Sequence, residues 1–110
     1  MESGKQQVRK EGTLKKGYWV VAYISISDQS AVKSYGALAE PAIESFGGRL
    51  LTSFTSQVQA YEAGSQQRAI VVEFASYDIA LTAYKSEAYQ KALQALGSGV
   101  ERDFRIVEGA

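Results

Sequence analysis

Within the run Ala69-Ile70-Val71-Val72-Glu73-Phe74 a single carboxylate is set among apolar residues. In an extended chain Glu73 shares a face with Val71, and a carboxylate turned toward a partly dry interior must either be ion-paired or have a raised pKa. A raised pKa is what a general base working near neutral pH requires. Glu73 is therefore the candidate catalytic residue, moving a proton on a small organic substrate; its competing reading is a structural ion pair with an arginine. Arg49, Arg68 and Arg105 are the cations that could supply that partner, or hold an anionic substrate group through two parallel hydrogen bonds. Arg49 and Arg68 begin neighbouring strands of a hairpin and are the candidate substrate-binding cations, with Trp19 and Tyr23 as the flat walls of a pocket. Tyr84 and Tyr89 fit a helix stripe and read as packing residues. The chain has no histidine and no cysteine, so the usual zinc sites, histidine-ligated haem, disulfides and thiol chemistry have no ligands here. The expectation is a protein with no metal and no cofactor.

The elements that must position these residues follow from periodicity. In "GYWVVAYISISD" the residues Tyr18, Val20, Ala22, Ile24 and Ile26 alternate with Trp19, Val21, Tyr23, Ser25 and Ser27, which predicts a strand covered on both faces. Asp28, or Ser27 before it, caps a following helix in which Val32, Tyr35, Ala39, Ile43 and Phe46 recur every three or four residues. Pro41 removes a backbone donor inside that helix, so a kink or two shorter helices are expected. Gly47 and Gly48 in "FGGRLL" follow the last apolar position, where a helix commonly ends in a left-handed residue. A phosphate loop needs its glycines between a strand and the start of a helix; here the order is reversed. "RLLTSFTSQVQAYEAG" reads as a long, irregular strand, a turn falls at Ala63–Gln67, and "RAIVVEFAS" returns as the second arm of the hairpin. Ser76 caps a second helix with Ala80, Ala83 and Tyr84 on its stripe, Ser86 caps a further segment with Tyr89, Ala92, Leu93 and Leu96, and Gly97 and Gly99 end it. "DFRIVEG" supplies the last strand.

At 110 residues and 45% hydrophobic content the chain suits one domain with a proper core. Its 12 basic and 12 acidic residues balance, so no overall field steers it to nucleic acid or to an anionic membrane. Residues 1–16 hold Lys5, Arg9, Lys10, Lys15 and Lys16 against Glu2 and Glu11 and little that could pack, which predicts a flexible basic extension ahead of a folded domain at 17–110. Neither a signal-peptide core nor an apolar run that could span a bilayer is present, so a soluble, cytoplasmic protein is expected, with neither membrane nor nucleic acid as partner.

Several motifs occur in order and at compatible spacing: "GYWV" at 17–20, Pro41-Ala42, "GGR" at 47–49, Glu62 and Gly64, "RAIVVEF" at 68–74, "SEAYQKAL" at 86–93 and "DFRIVEG" at 103–109. In these the chain resembles the DUF1330 family, a group of small ferredoxin-like proteins in the dimeric α/β-barrel superfamily. The resemblance implies an α+β, βαββαβ domain: a four-stranded antiparallel sheet with two helices on one face. It further implies a homodimer in which two sheets meet face to face. On that scheme Tyr18, Val20 and Ile24 pack under the helices, while Trp19, Tyr23 and Glu73 face the space between subunits. The superfamily holds cofactor-free monooxygenases, isomerases, haem proteins and proteins with no known activity, so fold does not choose a function. Two classes stay open: a cofactor-free enzyme acting on a small organic substrate in a pocket of the dimeric barrel, and a non-catalytic dimer that binds a small ligand or a protein.

Overall fold

The structure, a computed structural model, describes residues 15–64 and 67–110. Apart from Lys15 and Lys16, the N-terminal extension lies outside the described residues, as do two positions of the turn at 63–67. Lys16 is already joined to the fold, its carbonyl accepting a 2.7 Å hydrogen bond from the Gly109 N–H.

The chain runs β1 (Gly17–Ile26), α1 (Gln29–Ser45), β2 (Arg49–Leu50), β3 (Ala69–Phe74), α2 (Tyr77–Lys85), α3 (Glu87–Leu96) and β4 (Val100–Glu108). The four strands form one antiparallel sheet in the order β2-β3-β1-β4, so the two long strands that begin and end the domain lie side by side. This is the ferredoxin-like α+β arrangement, with the second helical segment divided at Ser86. Among the described residues no helix is long and apolar enough to cross a membrane.

Side-chain chemistry sets the element boundaries. Asp28 accepts from the Ala31 N–H and opens α1, Ser76 accepts from Ile79 and opens α2, and Ser86 accepts from Tyr89 and opens α3. α1 ends where the Gly47 N–H reaches the Glu44 carbonyl, with Gly47 at a left-handed φ of 72°. A side chain at Gly48 would collide with Ile43 and Phe74, so the second glycine is required by close packing. Of the two outcomes expected at Pro41, division into shorter helices does not occur: the proline lies inside one continuous 17-residue element. The proposed long strand after Gly48 is also corrected, to two residues. The reason is Thr52: its hydroxyl donates to the Ala69 carbonyl and accepts from the Val71 N–H, taking the ladder position of a backbone group and releasing the chain from the sheet.

The two faces of β1 are the reverse of the implied ones, while Glu73 lies on the open side as implied. Trp19, Val21 and Tyr23 of β1, with Ile70, Val72 and Phe74 of β3, are buried beneath the helices. Tyr18, Val20 and Ile24 stand on the open side with Val71 and Glu73, as the pairings Val20↔Val71 and Tyr18↔Glu73 require. Size explains the choice. Trp19 sits at the centre of an aromatic cluster with Phe74, Tyr84, Tyr89 and Phe104, and its indole N–H donates 2.9 Å to the Ala80 carbonyl. Only the helix side offers such a ring that much cover and an acceptor.

Candidate functional site

The space that the helices enclose is not completely filled. α1 packs chiefly along α3 and stands off the sheet. Gly36 and Ala39, small residues on its inner face, leave a cavity of about 280 Å³ against Val21, Ile70 and Val72 of the sheet. After Thr52 the freed chain folds over one side. Ser53, Thr55 and Ser56 bond to one another in a tight polar turn, holding Phe54 at the cavity mouth against Tyr23, with ring centroids 6.4 Å apart. Arg68 lies over the Phe54 ring at 5.2 Å and clamps it.

One cation reaches this largely apolar space. Arg102 of β4 alternates with Val100, Phe104 and Ile106 and so projects to the helix side, while its neighbours Glu101 and Asp103 project away. Its guanidinium donates to the hydroxyls of Tyr23 (3.2 Å), Tyr35 (3.4 Å) and Tyr89 (3.3 Å), and lies 4.9 Å from the ring centre of Tyr35 and 5.1 Å from that of Phe104. Tyr35 and Tyr89 also share a short hydroxyl–hydroxyl bond. Among the described residues Arg102 has no carboxylate partner. Burial pushes the Tyr23 phenol up despite Arg102 beside it; burial, with Tyr35 adjacent, pushes the Tyr89 phenol up as well. Burial opposes the charge on Arg102, but the surrounding tyrosine oxygens outweigh it and hold the guanidinium protonated.

The open side of the sheet carries the other polar cluster. Glu73 accepts from Arg49 at 3.0 Å and from the Tyr18 hydroxyl at 3.2 Å, with the Lys16 ammonium 3.9 Å away. Partial burial alone would raise its pKa; the Arg49 hydrogen bond, the Lys16 charge and the Tyr18 hydroxyl overcome this and hold the carboxyl below the ordinary glutamate value. Nearby, Arg105 and Asp103 pair at 2.9 Å. Around both pairs the surface is apolar: Val20, Ile24, Leu51 and Val107 are each at least 40% exposed.

The residues singled out in the sequence thus fall into separate places. Trp19 and Tyr23 line the cavity. Arg68 does not line it but borders it, its guanidinium over the Phe54 ring and its carbonyl accepting from the Tyr23 N–H at 2.9 Å, whereas Glu73 and Arg49 are paired with each other across the sheet from it. The pocket uniting Glu73 with Trp19 and Tyr23 does not form, because pairing with β1 puts Glu73 opposite Tyr18, one residue out of phase with both rings. Arg102, Tyr35 and Tyr89 were not among the candidates. Arg102 hides in the charged run "ERDFR", although its two-residue spacing from Val100 and Phe104 marks the apolar face.

A single antiparallel sheet with helices on one side, a cavity beneath them and an uncovered apolar face defines a small ferredoxin-like α+β domain. The sequence matches the profile described as "Domain of unknown function (DUF1330)" over residues 16–110, and the chain belongs to that family. Its fold is similar to the crystal structure of RPA0582, a protein of unknown function from Rhodopseudomonas palustris. The TM-score is 0.67 at 14% identity, over 87% of this chain and 83% of that one. The crystal structure of the methylated RPA0582 protein gives a TM-score of 0.64, also at 14% identity, over 88% of this chain and 82% of that one. No curated protein matches the chain.

Proposed function

We propose that this chain binds a small organic molecule in the cavity between α1 and the sheet, and that two chains associate through the open sheet face. The cavity carries the first part. Protein interiors are close-packed, and a void of about 280 Å³ approaches the range of ligand pockets, roughly 300–1,000 Å³. Gly36 and Ala39 occupy positions where ordinary helix residues would close it. What weighs for binding over turnover is the character of the nearby groups. Tyr23 and Tyr89 hold their protons more firmly than free phenols, and Glu73, with its lowered pKa, stands on the other side of the sheet. Association is supported by the exposed Val20, Ile24, Leu51 and Val107, apolar residues on one sheet face of the kind that a second copy covers about a two-fold axis.

The test is a titration of isotope-labelled protein with a panel of one-ring aromatic and short aliphatic compounds, neutral and charged, followed by amide chemical shifts. Compounds that fit should move the signals of Gly36, Ala39 and Ile70. Ala39→Leu, which fills the cavity, should abolish these shifts without lowering the melting temperature. If no compound moves them, or if Ala39→Leu binds as well as the wild type, the cavity is not a ligand site.

A further inference from the structure

The chemistry around Arg102 narrows the ligand class, on the reading that the cavity is a ligand site. A guanidinium carries five N–H donors and no acceptor, and a phenol that accepts from it keeps its own O–H to give. Arg102 uses three donors on the hydroxyls of Tyr23, Tyr35 and Tyr89, and the Tyr35–Tyr89 bond uses one phenolic proton. Two N–H groups and two O–H groups are left with no acceptor among the described residues. A cluster with that excess of donors, half-buried against apolar walls, calls for an acceptor-only group, because each donor left unpaired away from water costs stability.

We propose that Arg102 with the hydroxyls of Tyr23 and Tyr35, which line the cavity while the buried Tyr89 holds Arg102 and Tyr35 from behind, forms a receptor for a single carboxylate, and that the ligand is a small monocarboxylic acid whose apolar part lies in the cavity. An ionised carboxylate offers about four lone-pair sites in one plane, matching the unused donors and the flat guanidinium. A phosphate dianion fits less well: the cavity presents one cation, and the carboxylate of Glu40 stands at its rim, opposing further negative charge. The remaining walls are apolar and aromatic, suited to a ring or a short alkyl chain.

The experiment compares matched pairs on the full chain by the same amide-shift titration: benzoate against benzamide, phenylacetate against its amide, hexanoate against its amide, with benzylamine and inorganic phosphate as further probes. At least one acid should bind at least about tenfold more tightly than its amide, the difference expected from a charge-assisted hydrogen bond. Arg102→Gln should remove that preference, weakening the acid by at least about tenfold more than its amide. Should Arg102→Gln fail to fold, Tyr23→Phe, which keeps the ring and deletes one donor, should weaken the acid several-fold more than the amide. Amides binding as well as acids, or a preference for benzylamine or phosphate, would overturn the carboxylate assignment while leaving the cavity a ligand site. An acid preference left undiminished by Arg102→Gln, or by Tyr23→Phe where Arg102→Gln does not fold, would also overturn it. No binding by any probe would overturn both readings.

Discussion

The two faces of the sheet use arginine in opposite ways. On the open face Arg49 is matched by Glu73 and Arg105 by Asp103, each within 3.0 Å. On the helix face Arg102 meets three phenols and no carboxylate among the described residues. Matched charges cancel one another, and what remains of the open face is its apolar character, which favours contact with another apolar surface. An unmatched cation beside a cavity keeps its capacity for an anion. The two faces thus differ less in composition than in whether their hydrogen-bonding capacity is already used. One is suited to association, the other to a small ligand.

The largest effect should come from placing a charge on the face assigned to association. Val71 lies at the middle of the open surface, paired with Val20. Val71→Asp would bury an unpaired carboxylate in a two-fold interface at a cost of several kcal/mol, so the dissociation constant should rise at least about a hundredfold. Light scattering should report twice the 12.0 kDa chain mass for the wild type and a single, still folded chain for the variant. A monomeric wild type at micromolar concentration, or a variant that stays dimeric, would break the association half of the comparison.

How much of this was legible before the structure depends on which physical signal each feature leaves. The caps at Asp28, Ser76 and Ser86 and the stop at Gly47 are local hydrogen-bond chemistry, and local chemistry is written in adjacent residues. Which face of β1 is inside was not legible, because Tyr18, Val20 and Ile24 make as good an apolar row as Trp19, Val21 and Tyr23; only the helix-side aromatics decide between them. Thr52 ends its strand by standing in for backbone at a position 17 residues away, a long-range event that a β-branched residue in a strand-like run does not announce. Arg102 was missed for a third reason. A charged run usually means a solvated surface, and the alternation that points every second residue inward was outweighed by composition.

A medium effect concerns the inner face. Folding holds the protons of Tyr23 and Tyr89 above the ordinary phenol value of 10.0. The unfolded chain therefore releases them first as pH rises, the folded state binds more protons, and stability falls above about pH 10, continuing toward the higher folded values. Below that value the contribution is fully present. Chemical denaturation across the alkaline range should show this decline, and Tyr23→Phe and Tyr89→Phe should each flatten it. An unchanged slope in both variants would mean that the phenols ionise freely in the folded protein, and the enclosed character of the Arg102 cluster would be lost.

The smallest effect sharpens the comparison most. Glu73→Gln keeps the shape of the side chain but removes the charge that Arg49, Lys16 and Tyr18 surround. Because folding lowers this carboxyl below its ordinary value of 4.5, its contribution is present at neutral pH and disappears as acid protonates the folded protein. Exposed ion pairs contribute little, so the variant should melt only slightly below the wild type at pH 7, and the gap should close as the pH falls below about 4.5. Ligand shifts at Gly36, Ala39 and Ile70 should be the same in both proteins, because Glu73 lies across the sheet from the cavity. A Glu73→Gln variant that melts like the wild type at every pH but no longer binds would reverse the assignment. The carboxylate would then belong to the ligand site after all, and the division of labour between the two faces could not stand.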